Sequence, residues 1–475
     1  MTQESIIIWF RQDLRVEDHP ALQEAIDKSH HIVPLYIYSE EEKNKWKIGA
    51  ASKWWLHHSL ESLSNDLKSL NLKLIIRKGD PEEELKKIIK ESQSKAVYWS
   101  RMYEPFTIKR DTKIKQALSQ GIEVKTFKSS LLFEPWDILN KQGKPFQVFT
   151  AFWKSCLAKE SSFELSKISK KPSISTPKLH SLTIDELELL PKIHWDKGIA
   201  ATWHPGTANA KKYVKEFIEK EIVNYKEDRD FPSLPGVSHM SPYLHFGEIS
   251  PKMIWQMALE KHDFAKEESY LRQLGWREFG YHLLYHFPFT TENPLQENFT
   301  KFEWVKNESH LKAWQKGKTG YPFVDAGMRQ LWKTGWMHNR LRLVVGSFLV
   351  KDLLINWKEG SKWFWDTLVD ADLANNTLGW QWVGGCGADA APYFRIFNPV
   401  LQSEKFDPKG EFIRKWIPEI AALPDKWLHK PWEAPEDELR KAGITLGDNY
   451  PYPIVNHEEA RKKALEKFNT IKAQG

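Results

Sequence analysis

SIIIWFRQDLRVEDHP, residues 5–20, opens on an apolar run, SIIIWF (5–10), that is too short for a helix and reads as a buried strand. A charged loop, FRQDLR (10–15) with Asp18, follows it, and Pro20 opens a helix that runs to Ser29. The same alternation continues outward. HIVPLYIY (31–38), LKLIIR (72–77), AVYW (96–99) and IEVKTF (122–127) are further strands; residues 49–70 and 106–119 have helical spacing, and Gly79-Asp80-Pro81 signals a helix start. Nearly continuous apolar strands between helices predict a parallel, doubly wound sheet with a ligand crevice at the carboxyl ends of its strands. No GxGxxG follows the first strand, so no ordinary dinucleotide site is expected there.

With 475 residues, 41% apolar and 28% charged, the chain has the composition of a soluble globular protein of two to three domains. No apolar stretch is long enough to span a bilayer, and residues 1–10 lack the basic start and cleavage site of a secretory leader. Only Cys156 and Cys386 are present, which excludes a disulfide scaffold and any all-cysteine metal or iron–sulfur site. A reducing cytoplasm is the expected compartment, and no metal site is expected. The net charge of +6 is too small to indicate nucleic acid by itself, so any DNA contact must come from a local patch.

Residues 160–180 are rich in Ser, Lys and Pro and read as an exposed linker. The expected division is a domain over 1–130, an interdomain segment over 131–200 and a helical domain over 201–475. Beyond residue 200 strand signals nearly vanish; Ser250-Pro251 opens a helix, and 267–287 and 324–357 keep helical apolar spacing. Most of the 23 tryptophans lie in this half, where packing, base stacking and electron chemistry are all open uses.

Three long stretches carry a more specific signal: WREFGYHLLYHFP (276–288), KTGYPFVDAGMRQLWKTGWMHNRLRLVVGSFLVKDLLINW (318–357) and DADLANNTLGWQWVGGCGADAAPYFRIFNPVLQSEKFD (370–407). With FRQDLR (10–15) and YPYPIVNHEEAR (450–461), they make the chain resemble the cryptochrome/photolyase family, and within it the bacterial class I cyclobutane pyrimidine dimer photolyases. The resemblance implies an α/β N-terminal doubly wound parallel-sheet domain plus an all-helical FAD-binding C-terminal domain. It also implies an activity: reduced FAD, excited by blue light, passes an electron to a flipped-out pyrimidine dimer in UV-damaged DNA and recovers it after the ring splits.

Residue by residue, the resemblance assigns Arg342 and Asp370 as a charged pair beside the isoalloxazine, Asp372 to its polar edge and Asn376 to flavin N5. Plant cryptochromes carry aspartate at the Asn376 position and insect cryptochromes cysteine; a neutral amide suits a repair enzyme. The polar turn Val237, Ser238, His239, Met240 and Ser241 is assigned to the pyrophosphate, with His239 and Val237 standing where relatives usually carry arginine and threonine. Tyr225, Gln273, Arg277, Trp336, Asn339 and Ala371 complete the cofactor contacts. Trp380, Trp357 and Trp304 match a chain of three tryptophans that carries electrons to oxidised flavin. Trp276 and Trp382 match the aromatic walls of the lesion pocket, and Arg229, Arg340 and Arg395 match residues near the DNA backbone.

Two positions depart from the class I pattern: Gln273 replaces a glutamate and Leu343 a methionine, both in the lesion pocket. Gln273 also matches the (6-4) photolyases, but those need two histidines where this chain has Asn339 and Leu343, neither a general acid. Cyclobutane dimer repair is therefore expected, with a cryptochrome-like photoreceptor as the alternative; the chain ends soon after HEEAR, so no signalling tail is expected. Within WSRMYEP (99–105), Glu104 matches the residue that grips an antenna pterin, the second chromophore being a folate or a deazaflavin. A monomer is expected.

Overall fold

The structure is a computed structural model that describes residues 4–39, 45–159, 162–167, 174–261, 264–390 and 392–473. Residues 160, 161 and 168–173 of the expected linker lie outside the described residues. The chain divides into two compact units. The first comprises Met1–Lys220, Ser238–Pro288 and Val369–Asp372; the second comprises Glu221–Val237, Phe289–Leu368 and Leu373–Gly475.

In the first unit, β1 (Ser5–Phe10), α1 (Pro20–Lys28), β2 (His31–Tyr38), α2 (Ala50–Lys68), β3 (Ile75–Lys78), α3 (Pro81–Ser92), β4 (Ser94–Ser100), α4 (Pro105–Leu118) and β5 (Glu123–Phe127) alternate as the sequence predicts. All strand pairs are parallel, in the order β3-β2-β1-β4-β5. Apolar side chains of β1, β2 and β4, among them Ile7, Trp9, Val33, Leu35, Val97 and Trp99, meet Leu85 and Ile88 of α3 in one buried cluster. The reversal of strand order falls between β1 and β4. The loops leaving their carboxyl ends therefore diverge and leave a crevice, the general position of ligand sites in open α/β sheets. α5 (Phe149–Lys159) follows, and Phe163 is buried between the rings of Phe133 and Trp255, so this part of the expected linker is anchored by packing.

The FRQDLR loop is fixed by polar contacts. Arg15 is fully buried and donates to the carbonyls of Glu17, Asp18, Ser129 and Gly247 and to the Ser129 hydroxyl. Asp13 accepts from His19 at 2.9 Å, and Asp18 accepts from Ser250 Oγ at 2.5 Å. Leu14 N donates to Phe246 O at 3.0 Å, which brings residue 247 against the loop.

The second unit is helical, with no named strand among its described residues. The periodic stretch 324–357 is not one helix. Pro322–Thr334 ends at Gly335, whose φ of 68° is left-handed. His338 caps a new helix, Asn339–Ser347, by accepting from Arg340 N. A π-turn, Phe348–Asp352, follows, and Trp357–Thr367 begins anew under an Asn356 cap. Residues 322–328 and the whole π-turn are buried at every position, so these pieces have no exposed face. Both cysteines are buried. No helix among the described residues is long and apolar enough to cross a membrane.

Gly247 has a φ of 69°, and a Cβ there would overlap Gln12 O and lie 2.5 Å from Asp13 Cα. Gly143 has a similar φ of 72° with open space around it. Gly247→Ala should lower stability by about 2–3 kcal/mol and Gly143→Ala by about 1 kcal/mol, the left-handed cost alone, as read from urea midpoints. Equal midpoints for the two variants would show that the loop yields to the methyl group.

Candidate functional site

The crevice of the first unit is lined by Arg11, Gln12 and Asp13 from the end of β1, by Ser100, Arg101, Met102, Tyr103 and Glu104 from the end of β4, and by Ser130 and Tyr281. Glu104 is buried at the start of α4. Arg101 is tied to Glu134, and Tyr103 donates to the same carboxylate at 2.8 Å.

Tyr281 links this crevice to a second group. Its hydroxyl donates to Asp372, which also lies 3.5 Å from His245 Nδ1. Burial alone would raise the Asp372 carboxyl. The His245 contact, the positive charge of Arg277 and the Tyr281 hydroxyl outweigh burial and hold it well below the usual carboxylate range. The result is a buried, ionised acceptor. Arg277 donates to Ser130 O at 2.7 Å and lies over the Tyr281 ring, 5.0 Å from its centroid. The two side chains are four residues apart on Phe264–His286, which puts them on one helix face.

In the polar turn, His239 takes a left-handed φ of 53°, while Met240 is buried and Ser238 half-buried. His239 is open to water yet crowded by protein, and this desolvation pushes its imidazole down to about 4, against the pull of the Asp370 charge. Asp370 and Ala371 are buried, and Ser241 is exposed at the first turn of Ser241–His245. On the long helix, Gln273 is half-buried and donates through Nε2 to Ser269 O at 3.0 Å. Trp276 stacks face to face on Phe149 with centroids 3.8 Å apart and planes 7° from parallel. Next to it, Glu278 accepts from Leu132 N and Phe133 N.

The second unit gathers the remaining residues. On Asn339–Ser347, Arg342 Nε donates to Met337 O at 2.8 Å, Leu343 is half-buried and Asn339 exposed. Arg340 pairs with Asp230 at 2.8 Å and lies over the Phe406 ring at 4.1 Å. Arg229 lies over the buried Tyr225 ring at 5.3 Å. Trp336 is nearly buried, and Arg395 is exposed. Asn376, on Leu373–Gly384, donates through Nδ2 to the carbonyl (3.1 Å) and hydroxyl (3.0 Å) of Ser361.

Trp380 is buried on the same helix, edge-on to Phe364 at 4.9 Å and to Trp314 at 6.2 Å. A Cβ at Gly360 would be driven into its indole, so glycine is required there. Trp357 is buried, whereas Trp304 and Trp382 are half-buried. Val305 N donates to Leu354 O, which fastens the Trp304 segment to the chain just ahead of Trp357.

The sequence analysis missed His245, Tyr281, Glu278 and Ser361. The four-residue spacing from Arg277 to Tyr281 was the one available signal; the other contacts join distant segments. Among the described residues, His57, His58 and Glu61 are a histidine and carboxylate group with ligand atoms within 4.8 Å of one another. Their contacts are those of a helix surface: His58 bonds Glu61 at 2.8 Å and packs on Trp54.

Two family descriptions match the chain: "DNA photolyase" over residues 6–173 and "FAD binding domain of DNA photolyase" over residues 270–470. A deoxyribodipyrimidine photo-lyase of Agrobacterium fabrum is 45% identical over 98% of both chains. Cryptochrome-1 of Arabidopsis thaliana is 39% identical over 98% of this chain and 70% of its own. The crystal structure of a bacterial class III photolyase from Agrobacterium tumefaciens superposes with a TM-score of 0.94 at 43% identity, covering 100% of this chain and 98% of that one.

Glu278 gives a pH test of the buried frame. Burial outweighs the Arg277 charge and the two backbone donors and pushes its carboxyl up from 4.5 to about 7. Between those values the folded chain keeps a proton that the unfolded chain has released, so rising pH removes stability. The stability difference between wild type and Glu278→Gln should fall steadily from pH 5 to pH 7.5 in urea titrations. A difference that does not change with pH would mean the carboxyl titrates normally.

Proposed function

Given that the chain belongs to the cryptochrome/photolyase family, we propose that it repairs cyclobutane pyrimidine dimers in UV-damaged DNA under blue light, using bound FAD. The observation that carries the repair reading is Asn376. Its amide nitrogen is committed twice to Ser361, so the side chain is held in place and offers a ligand only a neutral carboxamide oxygen. Such a group has no proton to give in the physiological range, which favours a flavin resting fully reduced.

The residues fit a flavin. Asp372, kept ionised by His245 and Tyr281, is an acceptor for ring N–H groups, and Arg342, steered by Met337 O, supplies positive charge suited to an anionic ring. The polar turn of Ser238, His239 and Ser241 takes the pyrophosphate. When bound and reduced, FAD supplies the light-excited electron that splits the dimer.

On the substrate side, the Phe149 ring backs one face of Trp276 and keeps the indole flat for a flipped base, a stack worth about 1–3 kcal/mol. Gln273 uses one of its two amide N–H groups on Ser269 O, which leaves the other N–H and the amide oxygen, and no carboxyl proton, for the lesion. Arg229, Arg340 and Arg395 face the DNA backbone, Arg340 exchanging Asp230 for phosphate. Trp304, half-buried, and the buried Trp357 and Trp380 form the electron relay. The crevice at Glu104 holds the antenna, a folate or a deazaflavin. The protein works as a cytoplasmic monomer.

A photoreceptor is the second reading, favoured by the 39% identity to an Arabidopsis cryptochrome. Oligonucleotides carrying one lesion each, with light and dark controls, separate the two. Cyclobutane dimers should be lost in light only, and (6-4) products should remain. No repair of either lesion by fully reduced enzyme would leave the photoreceptor standing.

Trp380→Phe should abolish photoreduction of oxidised flavin while chemically reduced enzyme keeps most of its repair, as followed by flavin absorbance and dimer loss. Equal loss of both would mark Trp380 as structural.

A further inference from the structure

Within the second unit, residues 392–398 combine one buried anchor with two projecting side chains. Tyr393 is buried, its ring stacked on Phe468 at 4.7 Å and packed beside Phe302 at 5.4 Å. Phe394 is 63% exposed, and Arg395 projects beside it. Arg395 N turns back to Pro392 O at 2.8 Å, and Asn398 closes the segment by capping the next helix, Pro399–Phe406.

The remaining anchors come from one turn of another element. Ser347 Oγ accepts from Phe397 N at 3.4 Å, and Lys351 Nζ donates to Arg395 O at 2.9 Å. Ser347 precedes the π-turn Phe348–Asp352 and Lys351 lies inside it. π-turns are rare, interrupt helices as single turns and are frequent at functional sites. Lys351 is 1% exposed, and an ammonium so buried is costly unless it is bonded. Its surroundings are the Tyr393 ring at 5.3 Å and the Asp352 carboxylate, which His457 holds at 2.5 Å. Desolvation pushes the amine down to about 8, and the Asp352 charge opposes that shift. Such a group cannot reach DNA itself. What it grips is the main chain of the residue that projects.

We propose that Lys351 is a positioning residue for DNA binding, its ammonium clamping the Arg395 carbonyl from the π-turn so that the Arg395 side chain is presented to a DNA phosphate. This rests on the reading that Arg395 faces DNA. The clamp predicts that Lys351 and Arg395 act as one unit: without the clamp, the arginine is present but poorly aimed.

The test uses the full chain loaded with FAD and a duplex oligonucleotide bearing one thymine dimer, with affinity measured across salt concentrations. Arg395→Ala should weaken binding and reduce the salt slope by about one contact. Lys351→Met, which keeps the buried stem and loses the donor, should weaken binding by roughly 3- to 10-fold with a similar fall in slope and unchanged FAD content. Lys351→Arg should recover most of that loss. The double variant Lys351→Met/Arg395→Ala should bind no more weakly than Arg395→Ala alone. Without DNA, amide exchange over 392–398 should accelerate in Lys351→Met.

Losses that multiply in the double variant, or wild-type binding by Lys351→Met beside a weakened Arg395→Ala, would overturn the clamp alone. Wild-type binding by Arg395→Ala would remove that residue from the interface, overturning the underlying reading and the clamp with it.

Discussion

A guanidinium sealed from water organises the first unit. Arg15 spends its donors on Glu17, Asp18, Ser129 and Gly247, segments up to 232 residues apart in the chain. A buried cation that loses one of these partners leaves a costly vacancy, so all the segments must arrive together. Gly247 can approach because it lacks a Cβ, and Asp18 adds a bond to Ser250. The next helices, through Tyr281 and His245, then set Asp372 as an ionised acceptor. The loop after β1 thus acts at a distance on the group assigned to the polar edge of the flavin.

The sheet was legible because a buried parallel strand is a run of apolar residues, and nothing else in SIIIWF or HIVPLYIY competes with that reading. Helix breaks were harder. The stretch 324–357 reads as apolar through Gly335 and through the π-turn, because residues 322–328 and 348–352 are buried at every position and so leave no polar face to mark the breaks. Site chemistry was the least legible from pattern alone. Asn376 reads as one more polar residue on a helix until Ser361 is found beneath it, and Trp380 as one more core aromatic until Gly360 is found making room for it. Only motif resemblance singled these residues out; burial and partners then supply a physical reason for each. Tyr281 and Lys351 remained hidden because their partners lie far away in sequence.

The two units show two kinds of aromatic packing around tryptophan. Trp380 is wedged edge-on among Phe364 and Trp314, a T-shaped geometry that fills volume and fixes orientation. Trp276, in contrast, is stacked flat on Phe149, so its broad π-face is kept for stacking. Under the proposed roles, an electron relay at Trp380 would need a ring that stays put, and a pocket wall at Trp276 a ring with an accessible face.

Neither unit is a continuous piece of chain. The first takes in Ser238–Pro288 and ends with Val369–Asp372, four residues synthesised after Glu221–Val237 and Phe289–Leu368 of the second unit. At roughly 5–20 residues per second, translation therefore runs on for about 12–50 seconds after the sheet is complete before Asp372 can reach Tyr281 and His245. During that interval the Arg15 cation must wait for Gly247, and the tyrosine and histidine for their carboxylate. The first unit cannot mature as an independent domain emerging first from the ribosome; its final polar contacts close only after Phe289–Leu368 of the second unit has been made.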